Sequence, residues 1–214
     1  MNARLMSMLD SELTVETLMQ MASQKVHLDD YGDDPFHYPL EKLIQFFEER
    51  YAGDADKKFS FAFAIIDTLT KRLFIQENFK NKPEALEIPI TRPLFITGLP
   101  RTGTTLLHNL VSNDPTWRVL LYWELMYPFT REDMGPNFEK FAINLSEQAL
   151  KAFYARHPEF IKRHETKATG PEECFNLIRH SFYSIAWANE WYLPGYLRWF
   201  IQQDTTESYR YYKK

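Results

Sequence analysis

The chain has 214 residues, with 25 Lys and Arg against 29 Asp and Glu, for a formal net charge of -4. With 44% hydrophobic and 25% charged residues, it has the composition of a globular protein, which excludes disorder for most of its length. A mildly acidic chain with scattered basic pairs has no broad positive face to displace counterions from a phosphate backbone, which excludes a nucleic-acid partner.

Residues 3–25 place apolar side chains, among them Leu13, Leu18, Met19 and Met21, at helical spacing. The turn-rich Leu28-Asp29-Asp30-Tyr31-Gly32-Asp33-Asp34-Pro35 follows. Its aspartates do not fit a calcium loop, which needs glycine at the sixth and glutamate at the twelfth position, so it reads as a solvated loop. Helices are predicted over 39–50 and 56–80, the second burying Phe59, Phe63, Ile66, Leu69 and Leu73 and ended by Asn81-Lys82-Pro83. The apolar run at 92–97, stopped by Gly98, is the best strand candidate. From Gly103 the period is helical again, with Leu106, Leu107, Leu110 and Val111 on one side, as far as Asn113-Asp114-Pro115. Residues 117–128 fit either a short strand or a buried turn. Helices are predicted over 137–156 and 171–190, with shorter ones near 194–202 and 205–214.

One strand cannot make a sheet. The chain also has only 7 glycines, where average usage gives about 15. A complete doubly wound sheet needs more glycine for its turns, so part of an α/β domain is expected to be missing. Cys174 is the single cysteine, which excludes an intrachain disulfide framework and a multi-cysteine metal site. No apolar stretch reaches the 18 or so residues of a membrane span, and the N-terminus lacks the apolar core of a signal peptide. A cytoplasmic location is expected.

The sharp motif is Gly98-Leu99-Pro100-Arg101-Thr102-Gly103-Thr104-Thr105, set between the predicted strand and helix. Two glycines let successive N–H groups turn into one concavity, and the helix start adds partial positive charge. Thr102, Thr104 and Thr105 bring hydroxyl donors and Arg101 a full positive charge, so the loop suits a phosphate or sulfate. The glycine spacing is that of a Walker A loop, but Thr104 stands where a nucleotide triphosphatase has lysine. No apolar run ending in aspartate is visible to hold a magnesium ion, so phosphate binding without metal-assisted phosphoryl transfer is expected.

The segment RPLFITGLPRTGTTLLHNLVSNDP resembles the 5′-phosphosulfate loop of the sulfotransferase superfamily, in its bacterial Pro-Arg-Thr-Gly-Thr-Thr form. The 28–34 segment, Trp123-Glu124-Leu125 and Pro171-Glu172-Glu173 are similar to further parts of those proteins. The resemblance implies a P-loop-like α/β core with a parallel sheet, here incomplete, wrapped by helices. It implies a helical N-terminal region over 1–88. Residues 89–214 would then form the N-terminal part of the sulfotransferase domain, with a helical acceptor-site cap. The implied co-substrate is 3′-phosphoadenosine 5′-phosphosulfate, without a metal. Residues 100–105 (Pro100, Arg101, Thr102, Gly103, Thr104 and Thr105) would hold its 5′-phosphate and sulfonate. Arg101 would stabilise the leaving phosphate electrostatically, since a guanidinium is no general acid at neutral pH.

The acceptor hydroxyl needs a base. The later half of the chain offers His108, His157, His164 and His180. His164 is favoured, assisted by Glu172 or Glu173, because relatives carry a histidine and acidic pair around this polar segment. Both glutamates also suit the first turn of a helix opened by Pro171. The aromatic stretch from Phe175 to Phe200 suits an apolar pocket for a small-molecule or lipid-like acceptor, although packing explains such residues more often. Two other readings remain: a non-catalytic fragment that binds an anion or a partner, and a small-molecule kinase with a degenerate loop.

Overall fold

The computed structural model describes residues 13–99, 102–131 and 134–214. In chain order its α-helices are α1 (Val15–Val26), α2 (His37–Tyr51), α3 (Ala55–Asn81), α4 (Thr104–Val111), α5 (Tyr122–Met126) and α6 (Asn137–Arg156). They continue with α7 (Phe160–Arg163), α8 (Phe175–Ile178), α9 (Ile185–Glu190), α10 (Pro194–Phe200) and α11 (Thr206–Lys213). The chain divides into two compact units. One joins the residues up to Lys82 with Phe175–Lys214, and the other is Pro83–Cys174. This packing division does not follow the sequence-based boundary at 88, because the last forty residues pack with the N-terminal helices.

In the first unit, α1 starts where the Thr14 hydroxyl accepts from the Thr17 amide, and α3 where the Asp54 carboxylate accepts from the Lys57 amide. These two helices pack together, and α10 lies against α2. The helix predicted over 56–80 is present as α3. Its buried side holds Phe61, Ala62, Ile65, Ile66, Leu69 and Leu73. Phe63 was expected there but is about half exposed, because the i, i+3, i+4 stripe through 62, 65, 66 and 69 turns residue 63 outward. The core is aromatic: the Phe47 and Phe61 rings stack at 3.8 Å, and Phe182, Trp187 and Tyr196 are fully buried with them.

Arg72 is buried in this unit without a direct ion-pair partner among the described contacts. Its guanidinium donates to the backbone carbonyls of Tyr31 (3.0 Å), His180 (3.0 Å) and Asp34 (2.9 Å). The Phe36 and Tyr211 rings lie against it at 4.2 and 4.3 Å. One cation therefore ties the 31–34 turn, α3, the 179–181 turn and α11 together. The aspartates of that turn are engaged locally: Asp30 with Lys80 and the Gly32 amide, Asp34 with Lys214.

The helix expected over 171–190 is broken into α8, a 3-10 turn at Arg179–Ser181 and α9. Phe182 takes a left-handed backbone (φ 59°), and Ser184 is extended and caps α9 through the Ala186 amide. The chain reverses here so that Phe182 and Trp187 stack on each other inside the core.

In the second unit, α5 packs on α6, burying Leu125, Phe138 and Ala142. Glu124 accepts from the Leu121 amide and pairs with Arg118, which starts α5. The ambiguous 117–128 segment is therefore one helical turn preceded by a single bridge: Leu121 pairs antiparallel with Pro171. The expected parallel sheet is not found. That bridge is isolated, and no strand is formed among the described residues. The 92–97 run makes no strand pairing among the described residues, and Arg92 at its start has a left-handed backbone (φ 52°); a strand exists only through hydrogen bonds to a neighbour.

Candidate active site

Two features of the second unit carry chemistry. The first is the loop into α4. Gly103 caps that helix in a left-handed conformation (φ 94°) that an L side chain enters only with strain, and as a glycine it offers no side chain to cap the helix N-terminus. At Gly98, an added Cβ would sit 2.9 Å from both Thr102 Oγ1 and Thr104 Cγ2, so the loop closes tightly over that position. The Thr102 hydroxyl donates to the Leu99 carbonyl at 2.7 Å, closing the loop from within. Thr105 and Gly103 are exposed and Thr104 is half-buried. Pro100 and Arg101 lie outside the described residues.

The second feature is a histidine–carboxylate pair. His164 Nε2 lies 3.1 and 3.0 Å from the two Glu172 carboxylate oxygens. Glu172 also accepts from the Thr166 hydroxyl (2.9 Å) and the Glu173 amide (2.8 Å). Burial opposes ionisation of Glu172, but the His164 contact, the Glu173 amide and the Thr166 hydroxyl together hold its carboxyl below the usual range. The Glu172 side chain is 6% exposed and that of His164 is 34% exposed, so the acid is internal and the imidazole reaches solvent. With Nε2 facing a carboxylate, Nε2 carries the proton in the neutral ring and Nδ1 carries the lone pair.

The backbone around this pair is fixed from two sides. The Glu172 amide donates to the Leu120 carbonyl, and the Tyr122 amide to the Gly170 carbonyl, across the bridge. Glu172 and Glu173 therefore do not sit in a first helical turn as expected from Pro171, since α8 starts only at Phe175. From α6, the Tyr154 hydroxyl accepts from the Thr166 amide (2.7 Å) and donates to the His164 carbonyl (3.2 Å). Nothing in the spacing of the sequence marked Tyr154 or Thr166. Both act through contacts ten or more residues apart or through a side chain that reads as ordinary polar filler.

The remaining candidates lie elsewhere. His108 is on α4; His157 ends α6 beside Glu159. His180 is completely buried in the first unit, where burial and the charges of Lys71, Arg179 and Arg72 push its pKa well below the ordinary value. Of the two glutamates, Glu172 brings its carboxylate to His164, while Glu173 contributes its backbone amide. Cys174 is free and half-buried. Phe182, Trp187, Trp191, Tyr196, Trp199 and Phe200 belong to the helical core of the first unit or pack against it.

A family model described as the sulfotransferase family matches residues 93–212, which spans both the glycine loop and the His164–Glu172 pair. The chain belongs to the sulfotransferase family. Among solved structures it is similar to sulfotransferase STF1 from Mycobacterium tuberculosis, with 29% identity and a TM-score of 0.77 over 94% of this chain and 56% of that one. It also shares its fold with sulfotransferase STF9 from Mycobacterium avium, with 23% identity and a TM-score of 0.73 over 94% of this chain and 52% of that one. The sulfotransferase chain described here thus spans about half the length of these relatives. No curated protein matches it. Among the described residues, no helix is long and apolar enough to cross a membrane.

Proposed function

We propose that this chain carries the donor-phosphate loop and the acceptor-activating pair of a sulfotransferase. The donor is 3′-phosphoadenosine 5′-phosphosulfate, the acceptor is a hydroxyl of a small-molecule or lipid-like compound, and transfer needs no metal. The observation that carries this reading is the His164–Glu172 pair: a solvent-reaching imidazole oriented by an internal carboxylate, in a chain whose family transfers sulfuryl groups.

The loop suits the donor's anionic groups. The N–H groups at the start of α4 and the hydroxyls of Thr104 and Thr105 would donate to an anion held at that helix N-terminus. Thr102 holds the loop closed. In the transfer step, the acceptor oxygen attacks sulfur in line as the bond from sulfur to the bridging oxygen breaks. The electron pair leaves on the 5′-phosphate, and adenosine 3′,5′-bisphosphate departs. The acceptor's proton passes to Nδ1 of His164, and Glu172 stabilises the imidazolium through Nε2. Arg101 and the loop amides stabilise charge on the departing phosphate. A sulfuryl group carries one fewer negative charge than a phosphoryl group, so Arg101 and the loop amides suffice without a metal ion.

A radiosulfate transfer assay, run beside calorimetric titration with adenosine 3′,5′-bisphosphate, tests the reading. Arg101→Ala is expected to abolish transfer; near-normal turnover by that variant would sink the assignment. His164→Asn is expected to slow transfer by about 10²–10⁴. Superimposable pH–rate profiles for the wild type and His164→Asn place the base elsewhere. The unpaired 92–97 segment favours a second reading, a binding-only chain, and nucleotide binding without any transfer supports it.

A further inference from the structure

His164 and Thr166 are each held twice, once by backbone and once by side chain. His164 leaves α7 with an extended backbone (φ -157°, ψ 92°), and His164 and Thr166 are half-buried while Glu165 between them is exposed, the alternation of an extended chain. One phenol takes both backbones. The Tyr154 hydroxyl accepts from the Thr166 amide at 2.7 Å and donates to the His164 carbonyl at 3.2 Å, with the Thr166 carbonyl at 3.5 Å. One carboxylate oxygen takes both side chains: Glu172 Oε2 lies 3.0 Å from His164 Nε2 and accepts from the Thr166 hydroxyl at 2.9 Å. Phenol and carboxylate are themselves fixed within one packed body. Tyr154 is in the last turn of α6, which packs on α5, and Leu121 before α5 bridges Pro171 beside Glu172.

We infer that Tyr154 is a positioning residue for sulfuryl transfer, acting with Thr166 to hold His164 in the one orientation that presents Nδ1 to the acceptor hydroxyl. The inference rests on the proposed role of His164 as base. An imidazole hangs on two side-chain torsions. Tying Nε2 to Glu172 with a loose backbone lets ring and chain shift together, and tying the backbone alone lets the ring turn about those torsions. With both ends tied, the ring keeps one setting and the Nδ1 lone pair one direction. Proton transfer requires this, because the acceptor oxygen must come within about 2.6–3.2 Å of Nδ1. A tyrosine kept for packing needs only its ring, whereas here the hydroxyl makes the contacts with residues 164 and 166. Removing that hydroxyl leaves the Thr166 amide without its acceptor and the His164 carbonyl without its donor. The Glu172 carboxylate then holds the ring at one end only.

The test uses Tyr154→Phe, which keeps the ring and removes only the hydroxyl, Thr166→Val, and each of these combined with His164→Asn. Nitrogen NMR shifts of His164 in the whole chain are expected to report a single Nε2-protonated ring in the wild type and a mixture of tautomers in Tyr154→Phe. In the transfer assay, kcat of Tyr154→Phe is expected to fall about 10- to 100-fold, while calorimetric affinity for adenosine 3′,5′-bisphosphate stays within about twofold. In the His164→Asn background the same change is expected to cost less than about twofold, because a residue that acts through His164 then has nothing left to position. A further loss as large as in the wild type overturns the inference and makes Tyr154 a support of the fold alone. Thr166→Val is expected to give a smaller loss that also vanishes in the His164→Asn background, and it carries the same cycle if Tyr154→Phe does not fold. Unchanged His164 shifts and turnover in Tyr154→Phe overturn the inference and leave His164 as the base. Wild-type turnover by His164→Asn breaks the base assignment itself, and the positioning role with it. The nitrogen shifts need no turnover, so a chain that binds nucleotide without transfer still decides whether Tyr154 sets the ring.

Discussion

The two units of this chain divide their labour unequally. The unit built from α1 to α3 and α8 to α11 buries a continuous aromatic core and locks it with one internal cation, Arg72. The unit from Pro83 to Cys174 has a small core around Leu125, Phe138 and Ala142, yet it carries the glycine loop and the His164–Glu172 pair. Stability is concentrated where no proposed chemistry occurs. The chemical groups sit on loops held by individual hydrogen bonds, as expected where function is carried by connecting segments.

The contrast is broken most directly at Arg72. Arg72→Ala leaves three carbonyl acceptors without their donor and is expected to cost about 3–5 kcal/mol, read from the urea midpoint by circular dichroism. A loss below about 1 kcal/mol would mean that the cation is not what ties the first unit together. Next, Leu69→Ala in the first unit is expected to cost roughly 2–5 kcal/mol. Leu110→Ala on the exposed side of α4 is expected to change stability by no more than about 0.5 kcal/mol. Equal effects of the two truncations would erase the distinction between the units.

Acid titration separates the units by the pH at which each weakens. His180 has a folded pKa well below its ordinary value, so the unfolded chain takes up that proton first. The first unit therefore loses stability as pH falls below about 6.5, and His180→Leu flattens this part of the profile. Glu172 is also depressed in the folded state, by partners that stabilise its carboxylate. Its contribution is complete above about 4.3 and is lost as pH falls from there through the folded pKa. Residue-resolved hydrogen exchange at pH 7, 5.5 and 4 checks the order. Weakening of the second unit before the first reverses it. The smallest effect expected is from Thr166→Val, which removes one hydrogen bond from Glu172. It is expected to cost about 1 kcal/mol and to raise the Glu172 carboxyl, measured by carboxyl-carbon NMR.

Much of the helical layout was legible in the sequence. The 56–80 pattern emerges as Ala55–Asn81, and the 137–156 pattern as Asn137–Arg156. Long periodic segments are specified locally, by a stripe of apolar residues and by caps such as Asp54. The 171–190 reading missed its break because the reversal at Phe182 depends on the stacking of Phe182 with Trp187, which no local propensity encodes. Within the site, the glycine loop could be read from spacing alone, and Glu172 could be named as a candidate only from family likeness. The choice between Glu172 and Glu173 could not.

By itself the sequence determined the glycine loop leading into a helix and the sulfotransferase likeness. Each of these depends on residue type at short separations. Tertiary structure alone decided that Glu172 rather than Glu173 meets His164, that Tyr154 pins the 164–166 backbone, and that residues 175–214 pack with the N-terminal helices. It also left 92–97 without a strand partner among the described residues. A helix closes its hydrogen bonds within its own segment and can be read there, whereas a strand or a catalytic pair is completed only by residues that the fold brings from elsewhere.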